Sequence, residues 1–333
     1  MAQVRGGAGF GFPRLAAAGY LGTVQLPESV LQAIRARAEA IGFASLARAA
    51  QALSKAYREG RAEEPGRLDA EHRTAAYLAT RMPATFAAAF QVLGEVRRRL
   101  GGRQPASVLD AGSGTGAASL AARAWFPEAA LTLLERDADF ARAAAEWLPE
   151  ASHVCADLRR MAELPAHEVV IAAYAAGEMP PEAIGRLWDA TRVALVVIEP
   201  GTPRGFAAIA GIRATLLEQG AHMLAPCPAA GPCPIEAPDW CHFAARVERS
   251  ALHRRLKAAG LNYEDEKFSY VALAREPVEL PPARIIRRPE HHPGWIQIVA
   301  CTPAGIERRR ISRRDPGAFR AARQAAWGDE GLG

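Results

Sequence analysis

Three alternate glycines, Gly112, Gly114 and Gly116, are led by Asp110 and lie between a short apolar strand at 107–110 and a helix at 114–125. Few chains can place such a run where a strand hands over to a helix. Glycine lets the backbone turn sharply and approach a bound molecule, and the helix start offers free N–H groups. The alternation continues downstream. Apolar strands at 131–134, 154–155, 169–172 and 193–198 are interleaved with helices at 137–147, 181–190 and 203–220. Strands and helices alternating at these lengths predict an α/β fold with a parallel, doubly wound sheet. Glu135 ends the second strand, in position to bond a ribose diol. Asp157 follows the third strand, where it either reaches an adenine amine or caps a helix.

Around this core the pattern changes. Residues 1–26 read as a loose arm without the apolar run of a secretory signal. Helical stripes such as Val30, Ile34, Ala38 and Ile41 fill 27–102, an all-helical N-terminal region. The nucleotide-type core spans 103–225. A Pro/Cys-rich loop and a helix running to 259 occupy 226–260. Strands at 268–274 and 295–301 close the sheet within 261–302, making seven, and an Arg-rich tail fills 303–333. Half of the residues are hydrophobic and 23% are charged, which excludes a mainly disordered or fibrous chain. No apolar run approaches the roughly 20 residues of a membrane helix, so no membrane partner is expected. Nothing signals self-association.

Two ligand classes compete for the glycine loop. Pyrophosphate binders favour Gly-x-Gly-x-x-Gly, whereas this loop is Asp-x-Gly-x-Gly-x-Gly. That form resembles motif I of the class I S-adenosylmethionine-dependent methyltransferases. The resemblance implies that Asp110 and the loop hold the methionine part of S-adenosyl-L-methionine, and Glu135 its ribose. The chemistry is less defined. After the fourth strand the chain reads Ala172-Ala-Tyr-Ala-Ala-Gly-Glu-Met-Pro180, with no Asn or Asp to orient an exocyclic amine. Glu178 is the acid nearest the expected transfer position, a weak candidate base that reads more readily as a charge at a helix start.

Three of five cysteines, Cys227, Cys233 and Cys241, sit in a proline-stiffened loop, and Cys301 ends a predicted strand. Cys155, on an apolar strand, reads as a small buried hydrophobe. Four thiolates suit tetrahedral zinc or an iron–sulfur cluster, with the wide spacing and Cys-Pro pairs fitting a cubane. His242 could replace one thiolate in a zinc site, or simply begin the following helix.

The run Glu199-Pro-Gly-Thr-Pro-x-Gly205, the Cys-Pro pairs at Cys227 and Cys233, and Asp239-Trp-Cys-His-Phe243 together resemble the family of methyltransferase-like small-ribosomal-subunit assembly proteins, mitochondrial and bacterial. Tyr77-x3-Arg81-Met-Pro83, Phe268-Ser-Tyr270 and Trp327-Gly-Asp329 extend the likeness over nearly the whole chain. The resemblance implies a [4Fe–4S] cluster on Cys227, Cys233, Cys241 and Cys301, and association with the small ribosomal subunit and its rRNA. The expected location is the cytoplasm for a bacterial source and the mitochondrial matrix for a eukaryotic one. Methylation of rRNA is the alternative activity. From 284 to 323 ten arginines face three acids. Arg308, Arg309, Arg310, Arg313 and Arg314, with His291, His292 and Trp295 nearby, are expected to contact RNA phosphates.

Overall fold

A computed structural model of the chain describes residues 24–58 and 69–331. The expected arm and the charged loop after residue 58 therefore lie largely outside the described residues. Four helices come first: α1 (Glu28–Ile41), α2 (Phe43–Arg58), α3 (Ala70–Thr80) and α4 (Met82–Arg99). α1 buries Val30, Leu31, Ile34 and Ala38, the three-and-four spacing of a one-sided helix. α3 starts where the Asp69 carboxylate accepts from the Glu71 and His72 N–H groups.

The alternating part follows as β1 (Ser107–Ala111), α5 (Ala117–Trp125), β2 (Ala130–Glu135), α6 (Ala138–Trp147), β3 (Ser152–Cys155), β4 (His167–Ala173), α7 (Pro181–Ala190), β5 (Thr191–Pro200), α8 (Pro203–Glu218) and β6 (His222–Ala225). Then come β7 (Phe243–Glu248), α9 (Ala251–Leu256) and β8 (Tyr263–Ala274). The main sheet runs β3-β2-β1-β4-β5-β8-β6, with β7 also on β8. β1 to β5 are mutually parallel. β8 enters antiparallel beside β5 and takes both β6 and β7 on its other edge. This is the expected class I methyltransferase fold. Side-chain alternation divides the core. Val169, Ile171, Val196 and Ile198 face the α1–α6 layer, while Val170, Ala172, Leu195 and Val197 face α7 and α8. A strand buried on both faces reads as a continuous apolar run, as 169–173 of β4 and 193–198 of β5 do.

Three expectations are corrected. The helix expected to follow His242 is largely the strand β7, whose buried Phe243, Ala245 and Val247 alternate with Ala244, Arg246 and Glu248. The strand at 295–301 does not close the main sheet. It belongs to a second sheet of β9 (Arg284–Ile285), β10 (Glu290–His292), β11 (Trp295–Thr302) and β12 (Gly305–Ser312), ordered β10-β11-β12 with β9 also on β11. The Arg-rich tail is the strand β12 followed by α10 (Pro316–Gln324), whose Ala322 and Phe319 pack on Ile285, Ile296 and Ile298. Alternation specifies a half-buried strand but not which sheet receives it, and a run of arginines on one hides the period. No helix of the described residues is long and apolar enough to cross a membrane.

Candidate functional site

At the carboxyl ends of β1 and β2 lies a cavity of about 440 Å³, bordered by Asp110, Gly112, Gly114, Glu135 and Asp157. The structure thus brings these sequence-derived residues together, while Gly116 caps α5 just behind the loop. Gly112 has φ +78°, and a Cβ there would lie 2.8 Å from the Ala175 Cβ, so only glycine lets the loop turn so close to the wall. Both Glu135 oxygens accept from backbone, Oε2 from Gly114 N at 2.7 Å and Oε1 from Asp137 N at 2.8 Å, tying the loop to the end of β2. Asp157 also accepts from the Arg159 N–H at 3.0 Å, a turn cap, and the Arg159 guanidinium bonded to it holds its carboxyl down at about 2.

Asp110 is 1% exposed and accepts from Ser119 Oγ at 2.6 Å, while its Oδ1 has no partner. Burial pushes its carboxyl up to about 6. An orphaned buried carboxylate oxygen beside three glycines is an acceptor in need of a cationic or amine donor. The folded value lies above the ordinary 3.8. Ionising Asp110 in the free protein therefore costs stability as pH climbs through this range, and a cation bound beside it removes that cost.

Helical residues that the sequence did not assign to a site complete the wall: Tyr57 of α2 and Arg73 and Tyr77 of α3. The Tyr77 ring lies 4.8 Å from that of Phe140, and the Arg73 guanidinium 5.1 Å from the same ring. Their only sequence signal is the Tyr77-x3-Arg81 pair. Glu178 lies in a single 3-10 turn, Ala176–Glu178, and its side chain falls outside the described ones. Glu266 of β8 lies outside the cavity lining and accepts from the hydroxyl of Tyr174, which borders the cavity, at 3.0 Å. Burial pushes the Glu266 carboxyl up, against the pull of Arg81. Tyr174 itself adopts φ +58°, a left-handed conformation at the end of β4.

A second cavity, of about 260 Å³, lies between the two sheets. Cys227, Cys233, Cys241 and Cys301 all border it. The first three come from the connection between β6 and β7, and the fourth from β11. All are free thiols, and among the described residues no three potential ligand side chains are grouped closely enough to hold a metal ion. Burial pushes the Cys301 thiol up to about 12, reinforced by Cys227 and Cys233, and raises Cys227 and Cys241 as well. Two buried guanidinium groups flank the thiols. Arg213 donates to the Ala229 and Gly231 carbonyls at 2.9 and 2.6 Å, bracing the loop between Cys227 and Cys233. Arg284 donates to the Pro226 carbonyl at 2.9 Å and lies opposite Cys301 in the β9–β11 register. His242 does not border this cavity; its ring lies 5.4 Å from that of Trp240 and 4.8 Å from that of Trp327. Cys155, expected to be buried, is exposed at the end of β3, because the strand's edge position leaves that side uncovered.

The arginines of β12 are exposed. Arg309 pairs with Glu307 at 2.7 Å, and the Arg313 guanidinium lies 5.7 Å from the Phe319 ring. Arg308, Arg310 and Arg314 have no acidic partner among the described residues.

The sequence model of the family described as mitochondrial small ribosomal subunit Rsm22 matches residues 71–331. The chain belongs to the Rsm22 family. The match takes in both cavities and the second sheet of this Rsm22-family chain, whereas α1 and α2, which supplies Tyr57, precede it. Among curated relatives, the human "Ribosome assembly protein METTL17, mitochondrial" is 26% identical over 287 residues, covering 76% of this chain and 61% of the relative. The "Rsm22-cox11 tandem protein 2, mitochondrial" of Schizosaccharomyces pombe is 28% identical over 179 residues, covering 40% of this chain and 24% of that protein. The Rsm22-family chain thus spans less than two thirds of either relative. Among solved structures, the plantazolicin methyltransferase BpumL in complex with SAH and a triazolic analog is 11% identical, with 75% of this chain and 100% of that chain covered and a TM-score of 0.44. Coclaurine N-methyltransferase bound to SAH is 15% identical over 34% of this chain and 35% of that chain, with a TM-score of 0.30.

Proposed function

We propose that this protein binds S-adenosyl-L-methionine in the first cavity and a [4Fe–4S] cluster in the second, and acts in assembly of the small ribosomal subunit by holding rRNA on its arginine-bearing sheet. The observation that carries the reading is the meeting of Cys301 with Cys227, Cys233 and Cys241 around one cavity, although 60 residues separate Cys301 from Cys241 in the chain. Buried thiols do not ionise unaided, and thiolate ligation by a metal group supplies the compensating charge. Arg213 and Arg284 supply the positive surroundings that an anionic thiolate-bound cluster needs. The methionine end of S-adenosyl-L-methionine would meet Asp110 and the glycine loop, and its ribose would meet Glu135. When bound it supplies an electrophilic methyl group. Helices α2 and α3 contribute to the wall, an arrangement that favours a retained ligand over turnover on a large acceptor. For a eukaryotic source the proposed location is the mitochondrial matrix.

Iron, acid-labile sulfide and zinc per chain in anaerobically purified protein test the reading. About four irons and four sulfides are expected, and loss of both in Cys233→Ser. One zinc without sulfide would replace the cluster by a structural ion, and neither metal would remove the reading. Calorimetric titration with S-adenosyl-L-methionine tests the first cavity. Affinity is expected to rise about tenfold between pH 5 and pH 7 as Asp110 ionises, and to be flat in Asp110→Asn. A flat profile in the parent protein would remove Asp110 from the ligand's cationic end.

A further inference from the structure

β11 has two faces of opposite character. Ile296 and Ile298 are buried against α10, while Trp295, Gln297, Val299 and Cys301 lie on the other side, which is half-buried at its Trp295 end and covered at Val299. At one end of that outer face three flat groups are stacked. His292 lies directly across from Trp295 in the β10–β11 register, their rings 3.9 Å apart and 11° from parallel. The Arg310 guanidinium, from β12, sits 4.2 Å from the Trp295 ring. Because β10 and β12 flank β11 on opposite sides, the imidazole and the guanidinium reach the indole from opposite sides. His292 and Arg310 are exposed and Trp295 is half-buried. Arg308 follows on the same face two residues from Arg310, and Arg314 lies just beyond β12.

We infer that this column is a stacking site for an unpaired nucleobase of RNA, with Arg308 and Arg314 taking the phosphates on either side of it. The inference rests on the proposed holding of rRNA and adds the chemistry of the contact. A column of planar groups with an exposed end is extended by another planar group, and every base has such a face. The base also arrives joined to phosphates, which meet the arginines. An acidic peptide satisfies the arginines but has nothing to place on the imidazole. An A-form duplex keeps its base faces covered, so it gains only the charge contacts.

The test is fluorescence anisotropy of the full chain with a labelled 12-nucleotide oligouridine, an RNA duplex of the same length, and polyglutamate as the acidic competitor. Trp295→Ala is expected to weaken oligouridine binding about tenfold or more, Trp295→Phe less than about threefold, and neither to alter duplex binding more than about twofold. His292→Ala, a change on an exposed hairpin, is expected to weaken oligouridine binding in the same sense without affecting the melting temperature. The Arg308→Gln/Arg310→Gln pair is expected to weaken both RNAs and to lower the salt dependence by about one to two ions. If both Trp295→Ala and His292→Ala bind oligouridine as the parent does while the arginine pair does not, the stacking site is wrong and the RNA surface stands. If the arginine pair also binds both RNAs as the parent does, the surface itself is misassigned, and the proposed rRNA contact fails with it. Tighter binding of polyglutamate than of oligouridine overturns the inference in favour of an acidic protein partner.

Discussion

Arg284→Met is expected to destabilise the protein by about 3 kcal/mol, far beyond what one surface ion pair contributes. Arg284 and Glu95 are each buried, their side chains 1% exposed, and Arg284 Nη2 donates to Glu95 Oε1 at 2.7 Å. Nη1 and Nε also satisfy the carbonyls of Gly328 and Pro226. One side chain therefore ties α4, the start of the cysteine loop and the C-terminal turn together. Methionine fills similar space but leaves a buried carboxylate and two carbonyls short of donors. Arg98 and Arg99 remain near Glu95, which holds the cost toward the lower end of the range for such pairs. The double variant Glu95→Leu/Arg284→Met removes both charges and is expected to unfold at higher urea than Arg284→Met alone. A single variant within about 1 kcal/mol of the parent, or a double variant equal to the sum of its parts, would refute the account.

The second large effect is at Gly205. A Cβ there would clash with the Pro200 carbonyl oxygen, a backbone atom fixed at the end of β5. Nearby, Thr202 caps α8 by accepting from the Gly205 N–H, and a Cβ on Gly201 would lie 2.7 Å from the backbone of Lys267 and Phe268. The run from Glu199 to Gly205 is thus a close-packed corner, which gives its two glycines a steric reason. Gly205→Ala is expected to cost about 3 kcal/mol or to prevent accumulation of folded protein. Gly211→Ala, on the same helix with nothing within 4 Å, is expected to be neutral or to stabilise by up to about 1 kcal/mol. Comparable melting temperatures for the two variants would show that the corner can relax.

Signals carried within a few residues are legible in the sequence. The strand–glycine–helix unit at Asp110 to Gly116 is local, and the apolar strands β4 and β5 declare burial on both faces. Contacts set by distant segments are not legible in this way. Nothing near Tyr57 or Tyr77 marks them as part of a cavity wall whose floor begins at Asp110. Trp295–Thr302 has the alternation of any half-buried strand, and only its pairing with β9, β10 and β12 assigns it to a second sheet. β7 reads as a helix because Ala244 and Ala245 blur its period of two into a helical one. Glu266 is hidden among the charges of 263–267, where only pairing with β7 separates Glu264 and Glu266 from the exposed Asp265.

The place of β8 in the sheet bears on the order in which the molecule can be completed. β6 and β7, the strands on either side of the cysteine loop, both find their sheet partner in β8. As the chain emerges during synthesis, the loop with its first three thiols is therefore made before the strand that anchors either of its ends. The fourth thiol, Cys301, follows later still. The parallel strands β1 to β5 can pair with one another long before that, with only the outer edge of β5 left waiting for β8. A nascent chain stalled before Tyr263 would carry the glycine-loop cavity but only an untethered cysteine loop, so the two cavities differ in when, as well as where, they form.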